Sequence, residues 1–182
     1  MKKLSVLSLM LLVIAGITSC GKIVDKVFPG VDAKVPDIQL TIRIVPVVFS
    51  NEFSLGSFTT RINLDSTIRA NTAGVFGIGI VSSIKVKEIV INLPNADNLN
   101  NLANFETARV TFTAPNNSAP LTVAALNFPD TYAATSTHTP TDSPELLDYL
   151  KGSEVTYTVY GRARRTTTKA LNMTVSVTVR VK

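Results

Sequence analysis

The chain has one cysteine and one histidine, and it has no tryptophan. A lone cysteine, Cys20, cannot form a disulfide within the chain, so it is either a free or a modified thiol. A single histidine, His138, without a second cysteine falls short of the ligand set of a typical zinc site. It is also the one imidazole that could activate a nucleophile, and no serine lies in a G-x-S-x-G turn. These shortages predict no catalytic residues and no bound metal.

Other patterns that carry chemistry are also missing. Gly74, Gly77 and Gly79 lack the spacing of a phosphate-binding loop, and no lysine follows them at the required position. The 13 acidic residues are scattered singly, so no pair of carboxylates is favoured as a glycosidase centre. We find no internal repeat of fixed period. The sequence therefore predicts a protein that is not an enzyme and needs no cofactor.

The most informative stretch that is present is the first twenty residues. Lys2 and Lys3 precede an apolar run of 14 residues, 4–17, and Ile17-Thr18-Ser19 then leads directly to Cys20. A membrane-spanning helix needs about 20 apolar residues, whereas the core of a signal peptide needs about 7–15. The stretch resembles a bacterial lipoprotein signal peptide with its lipobox, with Ile17 at the position where leucine is most frequent. Residues 1–19 are therefore predicted to be a signal peptide.

The resemblance to lipoproteins implies a location. Signal peptidase II would cut between Ser19 and Cys20, and Cys20 would carry fatty acyl chains such as palmitate that anchor the protein in a membrane. The expected place is the bacterial cell envelope, at the outer membrane. Surface-exposed lipoproteins of the Bacteroidota tend to carry several acids after the cysteine, but here Gly21, Lys22, Ile23 and Val24 follow it. The periplasmic and the surface face therefore both stay open.

The remainder of the chain is predicted to be one domain behind a tether. Removal of residues 1–19 leaves 163 of the 182 residues and lowers the formal net charge from +5 to +3, because Lys2 and Lys3 leave. The other basic residues are spread along the chain, which does not favour a nucleic-acid partner. Two prolines and two glycines interrupt residues 21–36. We therefore expect a flexible tether over 20–36, beginning at the lipidated cysteine, and a folded domain over 37–182.

Strand patterns dominate the predicted domain. Apolar and polar residues alternate over 38–48 and again over 58–64, which predicts an antiparallel hairpin. A one-residue change of phase around 87–88 indicates a β-bulge. The clearest alternation covers 171–181, and together with 155–163 it predicts a C-terminal hairpin.

Two short helices complete the predicted fold. Asp65-Ser66 could cap one that ends near Ala70, and Ser143-Pro144-Glu145 starts another that Gly152 ends. The fold is therefore predicted to be all-β and mainly antiparallel, an immunoglobulin-like or jelly-roll-like β-sandwich of about seven to nine strands with one short helix near 144–151. Its pattern is similar to that of small, poorly characterised Bacteroidota lipoproteins.

Polar chemistry outside the strands concentrates in two places. His138 lies in the weakly patterned segment 127–143. It could belong to a metal or ligand site, or it could be a solvated loop residue. A basic cluster lies between the last two strands, and it is a possible site for anionic glycans, phospholipid headgroups or lipopolysaccharide, or else a solvated tip. Its members are Arg162, Arg164, Arg165 and Lys169.

These observations leave three hypotheses about function. The first is a membrane-anchored envelope lipoprotein that acts as a non-catalytic binding or structural module for a protein or glycan partner. The second is a carrier that holds a lipid or another apolar ligand between its sheets. The third, an enzyme, would need a cleft with clustered polar groups that the sequence does not indicate.

Overall fold

The structure, a computed structural model, describes residues 28, 30–45 and 51–182. In this part of the chain no helix is long and apolar enough to cross a membrane. The α-helices are α1 Leu64–Asn71 and α2 Leu147–Leu150, and short 3-10 helices cover Ile78–Ile80 and Leu102–Asn104. The strands are β1 Val31–Lys34, β2 Ile38–Ile42, β3 Phe53–Arg61, β4 Ile84–Asn92, β5 Phe105–Ala114, β6 Asn117–Asn127, β7 Thr135–His138, β8 Glu154–Ala163 and β9 Leu171–Val181.

The strands form two antiparallel sheets that pack face to face. In the first, β1 and β2 follow each other along one side of β9, and β4 and β7 continue on the other side. The second sheet has the order β3-β8-β5-β6. Every connection except β1–β2 and β5–β6 crosses from one sheet to the other. This is the topology of a jelly roll, so the predicted all-β sandwich is confirmed and the jelly-roll alternative describes it.

The strand register divides the sandwich into two ends. Val31 pairs with Val181, so β1 begins where β9 finishes. The same end holds α1, α2 and the β5–β6 turn, and we name it the helical pole. The opposite end, which we name the loop pole, holds the connections 93–104, 128–134 and 164–170.

The two predicted hairpins are wrong, although their strands exist. β2 pairs with β9 and β3 pairs with β8, so the segments predicted to form the first hairpin lie in different sheets. β8 and β9 are likewise in opposite sheets. Each strand has one apolar side. Because these consecutive strands lie in opposite sheets, their apolar sides face each other across the core and cover each other. Residues 164–170 therefore form a bridge between the sheets.

The alternation in β9 and the bulge in β4 are confirmed. The odd-numbered residues of β9, from Leu171 to Val181, are all buried, whereas the even-numbered residues are exposed or partly exposed. The pairing of β4 with β9 shifts by one residue between Val86 and Glu88. The shift lets the apolar side of β4 change from even to odd positions while it stays in the core.

The predicted tether is too long at its C-terminal end. Residues 31–34 form β1 on the edge of β9, and the amide of Val35 donates to the carbonyl of Val177 at 3.0 Å. Phe28 is buried and meets Phe76 edge to face, with ring centroids 5.3 Å apart. The folded domain therefore includes Phe28 and residues 30–36, because their apolar side chains complete the core beside α1.

The first helix begins earlier than its predicted cap, and the second begins later. Asn63, not Asp65 or Ser66, caps α1, since its side chain accepts from the Ser66 amide at 3.0 Å. The second helix is only one turn, α2, and its predicted cap Ser143 instead accepts from the amide of Val86 at 2.7 Å. The Glu145 carboxylate accepts from the amide of Ile84 at 2.6 Å and from the amides of Leu146 and Leu147, at the start of α2, at 3.1 Å. Ser143 and Glu145 thus cover the part of β4 that β7 does not reach.

Candidate functional site

The four basic residues singled out from the sequence lie at or beside the loop pole, each against an acceptor. Arg162 pairs with Glu106 at 2.5 Å, Lys169 pairs with Asp97 at 2.7 Å, and Arg165 pairs with Asp130. The Arg164 guanidinium donates to the carbonyls of Ala103, Phe105 and Phe128 at 2.9–3.1 Å. Their charges are therefore engaged in holding the connections together, and anion binding at this cluster stays a prediction.

Three asparagines fix the connection 93–104. Asn100, Asn101 and Asn104 are only 2–4% exposed. Asparagine side chains are mostly exposed, so burial of three of them requires hydrogen-bond partners. The side-chain nitrogen of Asn104 donates to the carbonyls of Leu99 and Thr166 at 3.0 and 2.8 Å. Its side-chain oxygen accepts from the backbone amide of Asn101 at 2.8 Å. Because buried polar groups need partners, this network admits few other loop conformations.

The same network ties the neighbouring connection 164–170 to this loop. The side chain of Asn100 accepts from the Thr168 amide at 2.7 Å and donates to the Thr168 hydroxyl at 2.9 Å. Thr167, also buried, accepts from the amide of Val45 at 2.9 Å. The Lys169 ammonium, followed by the Asn100 side chain, lowers the pKa of Asp97 from its ordinary 3.8 to about 2. A hydrogen bond also joins Leu102 to Ala133, so the three connections form one surface, which we name the loop platform (residues 93–104, 128–134 and 164–170).

The loop platform presents two large apolar side chains to solvent. Leu99 is 70% exposed and Tyr132 is 57% exposed, on two different connections. The connections are in contact, because the amide of Leu102 donates to the carbonyl of Ala133 at 2.9 Å. Tyrosine is enriched among the residues that dominate protein interfaces, and the exposed Leu99 adds apolar area on the neighbouring connection. Neither residue was singled out from the sequence, where an exposed leucine looks like a core residue.

His138 lies at the end of β7, opposite Ile89, and not in a free loop. It is partly exposed. No group of three or more possible metal ligands occurs among the residues that the structure describes. The structure thus does not bring His138 together with the loop platform.

A cleft of about 490 Å³ opens at the helical pole. One side of the cleft is formed by the end of β3 and the start of α1. The other side is the segment that joins α2 to β8. Two cationic side chains line it, Arg61 and Lys151, together with the polar residues Asn63, Asp65 and Ser153 and apolar residues including Leu64, Ile78 and Leu150. The sequence did not indicate this cleft, because its two sides are about 90 residues apart in the chain.

A second cleft, of about 500 Å³, lies between β2 and β3 at the open side of the sandwich. It is lined by residues 41–45 and 53–56. Residues 46–50 and Cys20 are outside the described part of the chain.

The comparisons with known proteins give no family. No protein-family model matches the chain, and no curated protein matches it. Among solved structures, a chain in the structure of the infectious bursal disease virus Gt strain is similar at 10% sequence identity and a TM-score of 0.23. That match covers 85% of this chain and 42% of the viral chain, so this chain spans less than half of its length. A similarity at this TM-score carries no argument about function.

Proposed function

We propose that the protein is a lipid-anchored envelope lipoprotein whose jelly roll is a non-catalytic recognition module for a partner protein. The observation that carries the proposal is the loop platform, where Leu99 and Tyr132 are exposed on hydrogen-bonded connections. Asn104 holds the connection of Leu99, and the bonds from Leu102 to Ala133 and from Arg164 to Phe128 hold that of Tyr132. A preorganised surface loses little conformational entropy on binding, so a small apolar contact area gives more affinity. Leucine has no polar group with which to recognise a sugar, and this favours a protein partner over a glycan.

The position of the platform agrees with display away from a membrane. Seven residues, 21–27, separate Cys20 from Phe28, which is packed in the core. A chain extends at most about 3.6 Å per residue, so an anchor on Cys20 keeps Phe28 within about 30 Å of the attachment point. Phe28 and β1 lie at the helical pole. The loop pole is separated from it by the 11 residues of β9, or roughly 35 Å.

The interior of the sandwich supports recognition over the carrier hypothesis. Large apolar side chains from both sheets are fully buried and fill the space that a carried lipid would need. They include Phe105, Phe112, Tyr157, Ile38, Ile89 and Ile91. Phe112 and Tyr157 meet edge to face, with ring centroids 4.4 Å apart.

Site-specific photo-crosslinking in cells tests the proposal. A photoreactive amino acid is placed at Leu99 or Tyr132, and the control is Val75, which is 71% exposed at the helical pole. We expect one discrete crosslinked protein band from both platform positions and none from Val75. The partner is identified from the band and must bind the purified protein, with affinity reduced by Leu99→Asp. Equal crosslinking from all three positions, or none from the platform, would contradict the proposal.

A further inference from the structure

The helical-pole cleft contains two cationic side chains that the fold leaves unpaired. Within the described chain, neither the Arg61 guanidinium nor the Lys151 ammonium makes an ion pair or a side-chain hydrogen bond. The four residues of the basic cluster differ, since each of them is paired with an acid or with carbonyl groups. Unpaired cations that share a cleft raise the local concentration of anions.

The one carboxylate that lines the cleft is already neutralised. Asp65 accepts from Arg69 at 2.7 Å with one oxygen and from the amide of Ile78 at 2.8 Å with the other. Gly77 allows this arrangement, because a Cβ at that position would lie 2.6 Å from Oδ1 of Asp65. Glu154 stands opposite Arg61 in the β3–β8 register but forms no ion pair with it in the part of the chain described. Among the described residues, the lining of the cleft thus has two unpaired cations, Arg61 and Lys151, against one carboxylate that is already paired.

We infer that this cleft binds the phosphate of an anionic lipid headgroup. The inference rests on the proposed lipid anchor, which holds the helical pole within about 30 Å of the bilayer. Arg61 and Lys151 supply the two charges, and Asn63 and Ser153 supply neutral hydrogen-bonding groups on the same walls. Headgroup binding would orient the helical pole toward the membrane and the loop platform away from it. A free phosphate ion has the same chemistry, and the experiment separates the two sources.

The test uses the full chain, purified in a non-ionic detergent, and follows the backbone amide resonances of Gly152 and Ser153. One titration adds dihexanoyl phosphatidylglycerol, a second adds dihexanoyl phosphatidylcholine and a third adds inorganic phosphate. We expect a saturable shift with phosphatidylglycerol that is much weaker with the zwitterionic lipid and with the ion. Arg61→Gln and Lys151→Gln should each weaken binding about fivefold, the effect of one cation near an anionic surface. Lys151→Arg should retain binding.

Arg43→Gln is the matched control. Arg43 is exposed and without an ion pair in the described residues, but it lies near the loop pole. We expect this variant to bind phosphatidylglycerol as the unaltered chain does. Saturation by inorganic phosphate alone, no saturable shift with any probe, or equal effects of the Arg61 and Arg43 variants would each overturn the inference. The outcome is separable from that of the proposed function, because the crosslinks at Leu99 and Tyr132 do not depend on the cleft.

Discussion

Tyr157 carries a hydroxyl in the centre of the core without a hydrogen-bond partner in the described part of the chain. Burial raises its pKa, so the group stays neutral. Because nothing is lost with the hydroxyl, Tyr157→Phe should leave the melting temperature unchanged or raise it. Tyr149→Phe is the control, since that hydroxyl donates to the carbonyl of Ala119 at 3.0 Å. The control should lose about 1 kcal/mol, or roughly 2–4 °C. A larger loss from Tyr157→Phe would show a partner for its hydroxyl.

Asn104 should be the most sensitive residue of the loop platform. Asn104→Asp keeps the shape but removes the donor for the carbonyls of Leu99 and Thr166. Each carbonyl left without a donor costs about 1–3 kcal/mol, and the buried charge adds to this. Asn98→Asp, on the exposed part of the same connection, should change thermal stability little. Equal melting temperatures for the two variants would mean that the network does not hold the platform.

The ion pair between Asp97 and Lys169 gives the platform a pH dependence. The folded-state pKa of Asp97 is lowered from 3.8 to about 2. A carboxyl with a depressed pKa stabilises the fold above its unfolded value and loses this contribution as the pH falls toward the folded value. The stability difference between the unaltered chain and Asp97→Asn should therefore be present at pH 7 and decrease between pH 4 and about 2. Urea unfolding at several pH values measures it, and a constant difference would contradict the assignment.

At the scale of the element, substitutions in β9 test whether its odd-numbered residues face the core and its even-numbered residues face solvent. Val177 is 2% exposed in the core, whereas Thr178 is on the outer face, between Lys34 and Glu88. Val177→Asp should unfold the domain, because an unpaired buried carboxylate costs several kcal/mol, comparable to the whole stability of such a domain. Thr178→Asp should be nearly harmless in the same melting experiment. Equal effects would show that β9 does not present one face to the core.

The strands were predictable from the sequence because alternation is local, but their partners were not. Period-two patterns in β9, and the phase change in β4, depend only on which side of each strand is buried. The partner of β3 is β8 and that of β2 is β9, and both partners lie about 100 or more residues further along the chain. The pairing depends on how the two sheets bury their apolar faces against each other, which is a property of the whole domain. A local pattern does not show this, so strands adjacent in the sequence were predicted to form hairpins that do not exist.

The same limit applied to the candidate site. The basic cluster was visible as a run of like charges, but the acids that pair with it come from distant positions. Glu106 and Asp97 precede their partners Arg162 and Lys169 by more than 50 residues. The sequence predicts a short helical turn or loop over 97–104, and the 3-10 helix Leu102–Asn104 agrees with it. The burial of its asparagines was not predictable, because their partners at 166–168 are more than 60 residues away.

At the scale of the whole molecule, the proposed lipid anchor depends on Cys20. Cys20→Ala should leave an uncleaved or wrongly cleaved precursor and abolish membrane attachment, because both follow from the modified thiol. Cells grown with a fatty-acid analogue should label the unaltered chain and not the variant. No label on the unaltered chain would refute the lipoprotein assignment and the anchor-based orientation of the two poles.

The pairing of β1 with β9 also determines when the protein can fold. Val31 and Val181 are neighbours in the sheet although 150 positions separate them in the chain. At roughly 5–20 residues per second, synthesis of that stretch takes about 8–30 s, during which β1 and β2 have no strand to pair with. Non-local pairing of this kind is also slow once the chain is complete. The jelly-roll order therefore delays completion of the first sheet until the last strand is available, so β1 and β2 remain exposed to other partners throughout synthesis of the chain.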